Sequence, residues 1–149
     1  MPLKTSHTVE LVGEQPAHIP DGVYVCRFEG YLTKYMFGRC PKLYLRFSTF
    51  LCGQQYMLDK YYNVKEIVGS CGAQGKFKLG RRSNFYRDYL RLFGSFPLTL
   101  DQMAVWEGKC FLCEVKSVKK DAAGDELEAD LQYSKIAKII EQALDTPYS

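Results

Sequence analysis

Residues 42–62 read KLYLRFSTFLCGQQYMLDKYY. Leu43, Leu45 and Phe47 alternate with Tyr44, Arg46 and Ser48. Successive side chains of an extended chain point to opposite faces, so this alternation predicts a strand over Lys42–Phe50 with one buried face. Leu43, Leu45 and Phe47 make the core face, which leaves Tyr44 and Arg46 to the other side. Cys52-Gly53-Gln54 reads as a hairpin turn and Gln55–Tyr62 as the returning strand. On that strand Tyr56, Lys60 and Tyr62 share parity and extend the face begun by Tyr44. Upstream, Asp21-Gly22 marks a turn. Val23–Tyr31 then alternates Tyr24, Cys26 and Phe28 against Val23, Val25 and Arg27. Lys34–Pro41 reads as a loop around Gly38. Three consecutive strands with short connections predict an antiparallel meander.

The chain beyond the meander is read from caps and periods. Val64, Ile67 and Val68 fit a helical turn or a short strand, and Gly69, Gly72 and Gly75 predict a loop after them. Ser83 is placed to cap a helix over Asn84–Phe93, with Phe85, Tyr89 and Leu92 on one face, Arg87 and Arg91 elsewhere, and Gly94 at the C-cap. Thr99 and Gln102 have the spacing of a capping box for a short helix near Leu100–Val105. Lys109–Val118 alternates as a strand, Lys119–Asp130 reads as a charged hairpin loop, and Leu131–Tyr133 as a short last strand. Ser134 then caps a terminal helix over Lys135–Leu144, with Ile136, Ile139, Ile140 and Leu144 as its apolar stripe. The fold class expected is mainly β, a barrel of order β-β-β-α-β-β with a C-terminal helix. Residues 1–21 form a flexible N-terminal arm with a short strand at Val9–Val12, 22–134 the barrel domain, and 135–149 the helix and tail.

A chain of 149 residues fits one domain, and 46% apolar with 25% charged residues is globular composition. Fibrous and largely disordered classes are excluded. No run approaches the length of a transmembrane helix, and Met1–His7 has no apolar core of a signal peptide, so a cytoplasmic location is expected. The six cysteines then read as reduced thiols, most of them buried.

Three strands, a helix and two further strands is the element order of the OB-fold, a small, partly open five-stranded barrel. Across about residues 22–134 the chain resembles the OB-fold single-stranded-DNA-binding proteins of phages and integrative elements. The resemblance is carried by that order, by the run Asp21–Phe50 with its aromatic strands, and by Tyr133-Ser134 with the terminal helix that follows. It implies a non-enzymatic protein that binds oligonucleotides on its second and third strands.

The charge distribution agrees. The net charge of +3 hides a central segment, residues 22–93, with 13 Lys and Arg against 4 acids. The same segment carries 9 of 11 tyrosines and 7 of 9 phenylalanines. Bases stack on aromatic faces while Lys and Arg follow the phosphates, so a basic, aromatic region suits single-stranded DNA or RNA. The residues expected to make contact are Tyr31, Lys34, Tyr35, Arg39 and Lys42 around the first loop, Tyr44 and Arg46 on the second strand, Tyr56 and Lys60 on the third, and Lys76, Lys78, Arg81 and Arg82 before the helix. A β-rich core beneath a basic solvated surface accounts for the same composition. A protein-interaction module of a mobile element, binding a host or replication protein or forming a homodimer, accounts for the tyrosines and arginines equally.

Catalytic and metal chemistries are poorly served. Gly69–Lys76 gathers three glycines and a lysine, but Phe77 stands where a phosphate loop needs a hydroxyl for magnesium. Cys110 and Cys113 have a zinc-ligand interval but no second pair, and on a strand they point to opposite faces. They also lack the helix start of a dithiol redox site. His7 and His18 lie in the arm, and Asp121–Asp130 reads as a solvated hairpin rather than a held carboxylate pair. No catalytic residue, metal site or cofactor is assigned.

Overall fold

The computed structural model describes residues 17–98 and 101–144. The meander runs as β1 (Gly22–Met36), β2 (Cys40–Leu51) and β3 (Gln54–Asn63). Short strands β4 (Glu66–Val68), β5 (Gly72–Ala73) and β6 (Lys76–Lys78) follow, then the helix α1 (Asn84–Phe93) and the long strands β7 (Cys110–Val118) and β8 (Tyr133–Ala143). The five long strands lie in the order β3-β2-β1-β7-β8, every pair antiparallel, with β5 on the side of β1. β4 and β6 make a separate two-stranded ladder. The protein is mainly β, and its sheet does not close into a barrel by strand pairing.

The helix forms where its caps predict. The Ser83 hydroxyl accepts from the Tyr86 amide at 3.1 Å, and Gly94 takes the left-handed conformation that ends the helix. Phe85, Tyr89 and Leu92 are buried against the inner face of the sheet. Phe85 and Tyr89 surround Trp106 with Phe28, Phe93 and Phe111, all with ring centroids 4.9–6.2 Å from the Trp106 ring. Edge-to-face and offset contacts of this kind add to the apolar burial that holds the two layers together. Leu43, Leu45 and Phe47 of β2, and Phe111, Cys113 and Val115 of β7, complete this core.

Several expectations need correction. The C-terminal segment is not a helix: Tyr133–Ala143 is the edge strand β8. Its register against β7 slips at Ala137 and at Ile140, so Val115 faces Ile136 while Cys113 faces Ile139. Each slip inserts a residue and stretches the two-residue period to three, which imitates helical spacing. Ser134 therefore caps no helix. It is buried, its hydroxyl accepting from the Ile19 amide at 2.9 Å and donating to the Ile19 carbonyl at 3.1 Å. Ile19 is buried too, so Ala17–Asp21 is a tied segment rather than a loose arm. The proposed strand at Val9–Val12 lies outside the described residues.

Second, most of Lys34–Pro41 is strand. β1 and β2 pair out to Met36 and Cys40, and Phe37-Gly38-Arg39 alone turns. Third, the helix expected near Leu100–Val105 is a single 3-10 turn over Ala104–Trp106, and Thr99 of its supposed capping box lies outside the described residues. The cysteines divide evenly: Cys26, Cys110 and Cys113 are buried, while Cys40 is half-buried and Cys52 and Cys71 are exposed. The expectation that most are buried was too high.

Candidate nucleic-acid interface

The β2–β3 hairpin turns on two residues. Cys52 and Gly53 both have positive φ, 52° and 77°, the twist of a type I′ turn. Leu51 thus faces Gln54, Tyr44 faces Tyr61, and Arg46 faces Asp59. Reading three residues into the turn shifts the register by one and reverses the face of the third strand. That reversal is the error in the expectation for Tyr56, Lys60 and Tyr62. They pair with Thr49, Leu45 and Leu43, on the core-facing side. Tyr62 is buried, and its hydroxyl donates to Asp88 at 2.7 Å. Lys60 lies 4.4 Å over the Tyr62 ring, and burial pulls its ammonium below the ordinary lysine range. Tyr56 is half-buried against the core, yet it also lines the outer cleft together with Tyr44.

Outside the sheet the same hairpin carries a tyrosine cluster. The Tyr44 and Tyr61 rings are 5.5 Å apart. Tyr133, at the start of β8, joins them across a cleft of about 700 Å³ whose lining includes Tyr44, Arg46, Asp59, Tyr61, Tyr133 and Lys135. Lys34 stands 5.8 Å from the Tyr44 ring centre and Lys135 5.6 Å from that of Tyr61. Burial pushes the Tyr44 and Tyr133 phenols above their ordinary range, with each other's neighbour Tyr61 adding to the effect. A phenol is neutral near pH 7 in any case, and the shift moves Tyr44 and Tyr133 further from a charge that would repel a phosphate. Arg46 is paired with Asp59, Nε to Oδ1 at 3.1 Å, which offsets its charge and fixes its direction.

The expected contact residues do not form one surface. Tyr44, Arg46 and Lys34 come together at the cleft, and Lys42 follows on the same outer face, donating to the Asn63 side chain. Tyr35 and Arg39 are exposed at the hairpin's end. Tyr31 faces inward beside Leu45, half-buried, its phenol raised by burial. Lys76, Lys78, Arg81 and Arg82 lie in the layer that covers the inner face, with Phe77 against Phe85, so the sheet separates them from Tyr44. Sequence reading missed Tyr61, Tyr133 and Lys135. Counting back from a two-residue turn finds Tyr61, since it stands as far from Gln54 as Tyr44 from Leu51. Nothing local marks Tyr133 and Lys135, which depend on β8 being a strand.

A second polar group was also missed. The Ser117 hydroxyl donates to Asp21 at 2.8 Å and lies 3.2 Å from His18 Nε2. Its one proton is directed at Asp21, so the histidine nitrogen faces it as a donor. A serine nucleophile requires the reverse, with the histidine accepting and the carboxylate behind it. The cluster instead ties Asp21 to β7, where the Ser117 amide also donates to it at 2.8 Å. Among the described residues no three His, Cys, Asp or Glu side chains converge as metal ligands, and no helix is long and apolar enough to cross a membrane. No protein-family model, curated protein or solved structure matches the chain.

Proposed function

We propose that the protein is a non-enzymatic, cytoplasmic binder of single-stranded nucleic acid and that the strand lies in the tyrosine cleft. One observation carries the reading: Tyr44, Tyr61 and Tyr133 line one cleft, two of them with a lysine ammonium within 6 Å of the ring centre. Rings offer stacking faces to unpaired bases of any sequence, and the ammonium groups beside them suit the phosphates that follow each base. The helix lies between the third and fourth long strands, which is the element order of the OB-like reading. Lys34, Arg39, Lys42 and Arg46 stand on the β1–β2 hairpin, and Lys34 and Lys42 share the outer face with Tyr44, which favours a polyanion there although Asp59 and Asp130 also line the cleft.

The test is a fluorescence-anisotropy titration of labelled single-stranded DNA, single-stranded RNA and duplex at low and moderate salt. The reading expects saturable binding of a single strand that weakens as salt rises, because bound phosphates release counterions. Absence of saturable binding at low salt contradicts it. A protein partner is the second reading, favoured by Leu131, which is exposed among Glu126, Glu128 and Asp130 at the edge of the cleft. An apolar point in an acidic rim suits a basic protein surface, and pull-down of a basic partner that is lost in Leu131→Asp would support it.

A further inference from the structure

We propose that β6 and the turn before α1 form a second contact, for the phosphate backbone of a duplex, separate from the cleft that takes the unpaired strand. The proposal rests on the single-strand reading above and adds a second ligand class to it. Residues 67–87 contain Lys76, Lys78, Arg81, Arg82 and Arg87 and no Asp or Glu, and all five cations are exposed. Lys78 meets Glu66 at 3.9 Å with both side chains more than half exposed, an ion pair that solvent screens heavily.

The rings of this stretch are engaged with other rings: Phe85 is buried, and Phe77 and Tyr86 are half-buried. Phe77 packs edge-on to Phe85 at 6.0 Å, and Tyr86 lies 5.1 Å from Phe96. The patch therefore presents five exposed cations and no fully exposed ring. Unpaired bases gain little from such a surface, whereas a duplex, with its base faces hidden and its phosphates densely spaced, gains most of what it offers. The cleft has the opposite character, four tyrosine rings with Arg46 offset by Asp59.

The two surfaces lie on different sides of the sheet. Ile67, Phe77 and Phe85 belong to the core under the inner face, and Tyr44 and Tyr61 belong to the outer one. A single strand in the cleft leaves the cations of residues 76–87 accessible, so duplex and single strand bind together. The substrate that engages both is a junction at which a duplex opens into a single strand.

Three probes test this on the full chain: oligothymidine, a blunt duplex, and the same duplex with a thymidine overhang. In the parent protein the duplex should leave bound oligothymidine in place, and the junction should bind more tightly than either part. The double variant Arg81→Glu, Arg82→Glu should lose about tenfold or more in duplex affinity, with a salt slope smaller by roughly two, while oligothymidine binding changes by less than about twofold. Tyr61→Ala should show the converse. Displacement of oligothymidine by duplex, an equal loss of both ligands on charge reversal, or unchanged duplex binding in that variant overturns the second site. Dependence of oligothymidine on Tyr61 would leave the cleft reading standing in each of those cases. A parent protein that binds duplex but no oligothymidine overturns the cleft reading instead, and one that binds neither overturns both.

Discussion

The Arg91 guanidinium on α1 donates to the Ile139 carbonyl of β8 at 2.7 Å. It also donates to the Ile140 carbonyl and, at 3.1 Å, to Asp88, whose other oxygen accepts from Tyr62 of β3 at 2.7 Å. β3 and β8 are the two ends of the sheet order, and this chain of groups joins them through the helix where no ladder does. An edge strand left open is a template for pairing with another chain, and a helical side chain that occupies its carbonyls removes that hazard.

Arg91→Leu should therefore lower unfolding free energy by about 1–3 kcal/mol, the usual cost of leaving such acceptors without their charged donor. Urea denaturation measures the loss. Amide exchange should also quicken in Ile139–Ala143 relative to β1 and β2. A variant with unchanged midpoint and exchange would contradict the bridging role.

Gly75 sets a second limit. A Cβ there would stand 2.1 Å from the Thr33 Oγ1, and Thr33 is buried. That hydroxyl accepts from the Gly72 amide at 3.2 Å, clasping β5 to β1. Gly75→Ala should cost about 1–3 kcal/mol by overpacking. Combined with Thr33→Ala it should cost less than the two single changes together, because the second removes the obstacle the first meets. Additive losses in a denaturation cycle would show that crowding at Thr33 is not the cause.

Asp21 gives the pH dependence a sign. Hydrogen bonds from the Ser117 side chain and amide hold its carboxyl below the ordinary Asp range, with Lys119 and Lys116 helping. A carboxylate with a depressed folded pKa stabilises the fold above its unfolded pKa, and that stabilisation is lost as pH falls through the folded value. The difference in melting temperature between the parent and Asp21→Ala should be largest near neutral pH and should shrink as pH drops below the ordinary Asp range. A difference that grows on acidification would contradict this.

Local signals made α1 legible: a serine cap, a glycine stop and an apolar stripe lie within a dozen residues and agree with one another. The faces of β2 and of β1 as far as Phe28 were legible from alternation alone, but the register of β1 slips between Phe28 and Gly30, which turns Tyr31 inward and was not legible. β8 was not, because its bulges at Ala137 and Ile140 are properties of its pairing with β7 and turn a strand's spacing into a helix's. The cleft was half legible. Tyr44 and Arg46 follow from β2 alone, but Tyr61 required the turn length and Tyr133 required β8. Lys76 to Arg82 are close to the contact strands in sequence and were grouped with them, although the sheet stands between.

The central claim is that an unpaired strand stacks in the cleft, and Tyr61 tests it most directly because its ring lies against Tyr44 and beneath Lys135. The measurement is the affinity of the protein and of Tyr61→Ala for labelled oligothymidine at one fixed salt concentration, with circular dichroism to confirm that the sheet is retained. Loss of one stacking platform should weaken binding by about 1–3 kcal/mol, roughly five- to 150-fold, without abolishing it. A folded Tyr61→Ala protein that binds as tightly as the parent would contradict the account.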